Sequence, residues 1–272
     1  MGQPLFIQAF HFLPVTRSGG IGAIVCLIIF FYFYYLVYEK ILYDYILISF
    51  SMFLIGFLDD LQIKIKPLKR LLAMMFLLFI FIFFLPIKIS NIDIPFLKIL
   101  MNSHLFSSIF VLLCFLFVIN GANLIDGFNG LLGIHVIIIN SILLFLNLEN
   151  NNQELAIIIA SQIVVLVTFL LFNFPKAQIF LGDGGSYLFG SLVALNIIQT
   201  NNLNPEISSF FFCILLFYLF FEVFFSFFRK LILRKSPIKP DRHHLHMLSY
   251  LYLEHSQRFR DSNYLNSVLI NL

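Results

Sequence analysis

Asn120-Gly-Ala-Asn123-Leu-Ile-Asp126-Gly-Phe-Asn129-Gly-Leu131 is a polar, glycine-broken stretch set between two long apolar runs. Asn120, Asn123, Asp126 and Asn129 recur every third residue, so on a helical or near-helical turn they project close to one face. Amide and carboxylate oxygens facing one point suit a hard divalent cation or the edges of a polar ligand. Gly121, Gly127 and Gly130 let a backbone approach closely or turn sharply. Read alone, the stretch is equally a polar loop joining two membrane helices, and the rest of the chain has to decide.

The 272 residues are 60% hydrophobic and 11% charged, with a mean hydropathy of +0.96. That excludes a soluble domain and predicts an all-α, polytopic transmembrane helical bundle, residues 1–272 forming one integral membrane domain. There are 37 Phe and no Trp, so the 11 Tyr must supply any aromatic anchoring at the membrane surface. The richness in Phe, Ile, Asn and Lys reads as coding bias. Cys26, Cys114 and Cys213 all fall in apolar runs and read as inert core residues, neither a disulfide framework nor a zinc site. A net charge of +3 gives no footing for a nucleic-acid partner. Residues 1–20 have no basic region leading into an apolar core, so no cleavable signal peptide is expected.

A membrane span needs about 20 mostly apolar residues. By that measure eight are predicted, at 20–38, 42–58, 71–86, 104–119, 130–147, 155–172, 185–200 and 209–228. With the first segment inside, the inner segments carry Arg17, Lys64, Lys66, Lys69, Arg70, Lys176 and every basic residue from Arg229 onward. The outer segments carry only Lys40, Lys88 and Lys98. The positive-inside rule supports that orientation. The outer segments read as polar turns, whereas each inner one holds a polar or glycine cluster, so the chemistry is expected at the cytoplasmic mouth.

His11-Phe-Leu-Pro14-Val-Thr-Arg17-Ser-Gly19-Gly20 leads into the first span and, taken alone, is a basic flank with a glycine turn. Asp59-Asp60 ends the second. Two adjacent carboxylates on the unfavourable side of a helix dipole are either a solvated charge pair or, the preferred reading, a site pair offset by a metal or cation. Phe180-Leu-Gly182-Asp183-Gly184-Gly185-Ser186 opens the seventh span. Backbone N–H groups at such a start attract phosphate, and an Asp among them repels it unless the Asp holds a cation, which makes Asp183 the leading metal ligand, with a glycine hinge carrying a stray Asp as the alternative. Arg229 to His246 is a basic run containing Asp241, Arg242, His243, His244 and His246. It is denser than a lipid anchor requires and fits phosphate contacts better than zinc. Glu222, inside the last span, is either functional or the partner of a nearby basic group. Acid plus amide to hold Mg²⁺, and glycine loops plus cations to hold phosphates, make the equipment of phosphoryl transfer.

In that order the five clusters resemble the polyprenyl-phosphate N-acetylhexosamine-1-phosphate transferase family, more its O-antigen-type branch than its peptidoglycan branch. The resemblance implies transfer of a HexNAc-1-phosphate from a UDP-N-acetylhexosamine to polyprenyl (undecaprenyl) phosphate in a bacterial inner membrane, with release of UMP. It implies that Asp183 binds Mg²⁺ (Mn²⁺ as the alternative) with Asn123, and that Asp59, Asp60 and Asp126 form the catalytic acidic group. Asn120, Asn129, Gly182 and Gly184 are expected at the nucleotide and sugar, and Arg242, His244, His246 and Lys69 at phosphates. The partners are the two substrates and the bilayer, and a homodimer is compatible. Asn129 stands where many members have Asp, and Met247 where a further His is frequent. The family-typical first and last spans are not matched, since 1–8 is too brief and 248–272 is not apolar enough. Two other readings stay open: a non-catalytic family member that still binds lipid or nucleotide, and a carrier for an anionic solute.

Overall fold

The computed structural model describes residues 15–63, 65–85, 87–234, 244–255 and 263–271. They form a helical bundle: α1 (Gly19–Tyr38), α2 (Tyr43–Asp60), α3 (Pro67–Phe84), the short α4 (Pro95–Leu100), α5 (His104–Ile125), α6 (Leu131–Glu149), α7 (Gln153–Asn173), α8 (Gly182–Leu203), α9 (Ser209–Leu215), α10 (Phe217–Ile232), α11 (Leu245–His255) and α12 (Asn263–Asn271). Among the described residues the β-structure is limited to one isolated parallel bridge, Thr16 with Ile179. All eight apolar segments expected from the sequence are helical. Five of these helices (α1, α3, α5, α6 and α7) are long and apolar enough to cross a membrane, and the bent pair α9 and α10, at 67°, makes a sixth.

The two remaining segments, α2 and α8, are polar for a reason the packing supplies. Helix α8 is buried along nearly its whole length and packs against α2, α5, α1 and α6. Protein, not lipid, is its solvent, so it needs small residues for close approach and polar partners for its polar groups. A Cβ on Gly190 would come within 2.8 Å of the Ile119 backbone, and one on Gly20 within 2.6 Å of the Gly185 nitrogen. Inside the bundle the Asn196 carboxamide accepts from Tyr45 Oη (3.0 Å) and donates to Gln162 Oε1 (2.7 Å) and Asn140 Oδ1 (3.1 Å), joining four helices. Asn147 Nδ2 donates to Thr200 Oγ1 at 2.8 Å.

The segments expected outside tie the other end. Asp93 accepts from the Ser209 N–H at 2.7 Å, and Asn202 Nδ2 donates to the Lys88 carbonyl at 2.7 Å. Among the described residues the three cysteines are free.

The α2–α8 crossing generates a prediction. A methyl on Gly56 would meet the Asp183 carbonyl group and come within 2.6 Å of the Gly184 nitrogen, whereas one on Gly22 would meet nothing within 4 Å. Gly56→Ala is expected to lower stability by about 2–3 kcal/mol or more through overpacking. Gly22→Ala is expected to be neutral or to stabilise by up to about 1 kcal/mol. Thermal midpoints of the purified variants in detergent check both.

Candidate active site

Two short pairings bring together the clusters expected on the inner side. Phe180 N–H donates to the Thr16 carbonyl (2.8 Å), Gly19 N–H to that of Phe180 (2.9 Å) and Gly20 N–H to that of Leu181 (2.9 Å). The starts of α1 and α8 are thereby held side by side, and Arg17 is carried to the head of α8. From the other direction, α2 delivers its last residues. Asp60 Oδ1 accepts from the Asp183 N–H (3.0 Å) and Oδ2 from the Gly184 N–H (2.8 Å). This carboxylate caps a helix to which it does not belong, at the positive end of that helix's dipole.

Gly182 has φ +77, and a Cβ there would lie within 2.7 Å of an Asp60 oxygen. A Cβ on Gly184 would come within 3.2 Å of the Phe57 nitrogen. Both glycines, expected at the nucleotide, have a conformational and packing reason for being glycine. The α8 N–H groups expected to attract phosphate are those Asp60 occupies.

Arg70 joins the next two acids. Its Nη1 donates to Asp59 Oδ2 (2.6 Å) and Asp183 Oδ2 (2.8 Å), and its guanidinium lies 5.5 Å from the centre of the Tyr187 ring. Arg17 approaches Asp60 at 3.5 Å and Asp183 at 3.7 Å. Asn123 Nδ2 donates to Asp183 Oδ1 (3.0 Å) and Ser186 Oγ (3.1 Å). Asp126, at the C-terminal cap of α5, shares this field. Burial pushes its carboxyl up to about 7, with Asp183 and Asp60 adding to the rise and Arg17 opposing it.

The stretch 120–131 divides by register. Asn123 and Asp126 belong to the acidic cluster. Asn120 turns its Nδ2 back to the Leu116 carbonyl at 2.7 Å. Asn129 is buried and donates to the Pro175 carbonyl at 2.9 Å, beside the Gly130 N–H held by Asn173 Oδ1 at 2.5 Å. Helix α5 continues to Ile125, so the expected loop 120–129 is half helix. The single face expected for all four polar residues holds for two of them. Gly130, at φ +72, turns the chain so that Asn129 faces the 173–179 segment.

Lys69 is exposed, and its neighbour Arg70 reaches the carboxylates instead. Adjacent helical residues point about 100° apart, so only one of the two can face α8. Arg17 and Arg70, treated in the sequence as flanking charge, are the cations of this site. Arg242 lies outside the described residues. His244 and His246 are buried and face Glu222 of α10: Nδ1 of His244 is 3.0 Å from Oε2, and Nδ1 of His246 is 3.1 Å from Oε1.

The donors fit a hard divalent cation in kind, since all are carboxylate or amide oxygens. Among the described residues no three His, Cys, Asp or Glu side chains form a metal-holding group. Asp59 and Asp183 share Arg70, and Asp60 serves the backbone. A cation joining Asp183 and the Asn123 carbonyl oxygen therefore competes with Arg70.

Asp126 generates a pH prediction. With its pKa raised in the fold, the folded chain binds a proton that the unfolded chain releases. Its contribution is complete below the ordinary carboxylate value near about 4, and it is lost as pH rises through about 7. Asp126→Asn is expected to remove that fall, so the variant gains thermal midpoint on wild type between pH 4 and pH 8. Parallel melting curves across that range check it.

Comparison with known proteins agrees with this architecture. The model for "Glycosyl transferase family 4" matches residues 41–201, which include Asp59, Asp60, Arg70, Asn123, Asp126 and Asp183. The chain is 31% identical over 138 residues to the undecaprenyl-phosphate alpha-N-acetylglucosaminyl 1-phosphate transferase of Thermotoga maritima, covering 51% of this chain and 41% of the relative. It is 35% identical over 155 residues to the phospho-N-acetylmuramoyl-pentapeptide-transferase of Dictyoglomus turgidum, covering 54% and 49% respectively. Against the enzyme of the same name from Dictyoglomus thermophilum it is 31% identical over 209 residues, 71% of this chain and 64% of the relative. The matches span about half the length of the first two relatives. The acidic cluster and the matched segment coincide, and the chain belongs to glycosyl transferase family 4.

Proposed function

We propose that the chain transfers an N-acetylhexosamine 1-phosphate from its UDP-sugar to polyprenyl phosphate, releasing UMP and starting a lipid-linked surface glycan of the O-antigen kind. The reaction takes place at the cytoplasmic face of a bacterial inner membrane. The observation that carries this reading is the collection of four carboxylates, Asp59, Asp60, Asp126 and Asp183, with Arg17 and Arg70 at one end of an apolar bundle. Two relatives' names support it, one specifying an undecaprenyl-phosphate acceptor and both specifying a phospho-sugar transferred. An apolar groove of about 490 Å³ lined by Phe221, Phe224, Phe225 and Phe228, with Arg229 among its walls, suits a polyprenyl chain ending in phosphate.

In the proposed reaction an oxygen of polyprenyl phosphate attacks the sugar-bearing phosphorus of the UDP-sugar, and the bond from that phosphorus to the UMP oxygen breaks. A phosphate monoester has its second pKa near about 6, so at neutral pH the nucleophile is mostly a dianion and needs no base. Asp59 then serves to aim Arg70, and Asp60 to hold the head of α8. Arg17 and Arg70 spread positive charge over oxygens that gain negative charge as the bond exchange proceeds. Asp183 with Asn123 would hold Mg²⁺, or Mn²⁺ in its place, which would supply further charge neutralisation for the diphosphate.

The test is UMP release by purified protein from UDP-N-acetylhexosamines with Mg²⁺, with and without polyprenyl phosphate. Release that depends on the lipid is expected, and its absence across several UDP-sugars with folded protein overturns the reading. Asp183→Asn is expected to lose on the order of 100- to 1,000-fold in turnover, with its thermal midpoint near that of wild type. Arg70→Ala is expected to lose about 100-fold, while Lys69→Ala stays within about 3-fold, as suits an exposed side chain.

A further inference from the structure

Glu222 sits on α10 with no exposed surface, and four donors converge on its carboxylate. Oε1 takes the Leu245 N–H (3.0 Å), Tyr218 Oη (3.3 Å) and Nδ1 of His246 (3.1 Å), while Oε2 takes Nδ1 of His244 (3.0 Å). A carboxylate with these neighbours accepts from both rings, so each imidazole carries a proton on Nδ1. In a neutral ring the other nitrogen, Nε2, is then an acceptor. Burial holds the pKa of His246 below the ordinary histidine value, against the pull of Glu222, so that ring is neutral at neutral pH.

His246 Nε2 is buried and has no hydrogen-bond partner among the described residues. It points to the turn after α5: a Cβ on Gly127 would lie 3.7 Å from it, and the Phe128 ring packs edge-on against the imidazole at 5.4 Å. The residue before Gly127 is Asp126, a member of the acidic cluster. A buried acceptor that is left unpaired is costly, and this one lies against the turn that carries Asp126.

We propose that Glu222 is a positioning residue: it fixes the Nδ1–H tautomer of His244 and His246, so that Nε2 of His246 accepts a hydrogen bond from a hydroxyl or amide N–H of the sugar nucleotide. This deepens the transferase reading and rests on it. It also narrows the expectation that His246 contacts phosphate, because a phosphate dianion has no proton to donate to a neutral ring nitrogen.

The test uses the full chain labelled with ¹⁵N-histidine, with His244→Asn and His246→Asn assigning the resonances. In wild type, protonated Nδ1 is expected on both rings, and unprotonated Nε2 on His246. UDP-GlcNAc or UDP-GalNAc is expected to move the His246 Nε2 signal, and inorganic phosphate to leave it in place. Glu222→Gln, which keeps the shape and removes one accepting oxygen, is expected to shift the rings toward the Nε2–H tautomer. It should lower kcat on the order of 10- to 100-fold, with KM for the sugar nucleotide within about 3-fold. Protonated Nε2 in wild type overturns the assignment, and so does Glu222→Gln turnover equal to wild type. So does a signal that responds to phosphate, or one that ignores a sugar nucleotide the enzyme turns over. If no UDP-sugar is turned over, the transferase reading fails, and the substrate-facing role of His246 fails with it. The wild-type tautomers then still decide whether Glu222 orients the two rings.

Discussion

Everything at the acidic end of the bundle hangs on one carboxylate seated on the start of a neighbouring helix. Asp60 accepts two backbone N–H groups from α8, which requires the last turn of α2 to lie against the first turn of α8. Gly56, Gly182 and Gly184 make room for that approach. The pairing also resolves a puzzle in the sequence. An acidic residue at the C-terminal end of its own helix is badly placed, but at the N-terminus of another it meets the favourable end of that dipole. The same contact fixes Asp183, the first residue of α8 after Gly182, among Asp59, Asn123 and the two arginines.

The cluster then becomes a problem in charge balance. Four acids held close repel one another. Arg70 bridges two of them, and Arg17 lies within 3.7 Å of Asp60 and Asp183. Burial, with Asp183 and Asp60 adding to it, holds Asp126 above the ordinary carboxylate range. The histidine pair has its own acid in Glu222 and does not neutralise the cluster. This end of the bundle therefore contains two electrostatic units joined through the Asp126–Phe128 turn.

Composition was enough to place helix on all eight predicted segments, although among the described residues only five helices, or six with the bent pair counted as one span, are long and apolar enough to cross a membrane. Asn123, Asp126, Asp183, Asp59 and Asp60 were legible as one site, since carboxylates and amides bordering lipid-facing runs require partners. Four things were not legible. Choosing Arg70 over Lys69 depends on helical register relative to α8, which local sequence does not define. Asn129 has the residue type of a ligand contact, but the left-handed Gly130 next to it turns its amide toward Pro175. Glu222 was noticed for its place in an apolar helix, yet its partners lie 22 and 24 residues away. The Tyr45–Asn140–Gln162–Asn196 network was equally hidden, because each residue looks isolated in its own apolar run.

The composition of α8 has a consequence for how the protein is made. With glycines at its head, and Asn196 and Thr200 along its length, it is not apolar enough by itself to settle stably in lipid hydrocarbon. In that medium an unpaired amide has no water to turn to. Its partners lie on α2, α6 and α7, all earlier in the chain than α8, so a receptacle is already synthesised when α8 leaves the ribosome. Biogenesis thus has a built-in order, in which the least greasy segment arrives after the helices that shelter it. Asp183 reaches its place only as that last docking closes.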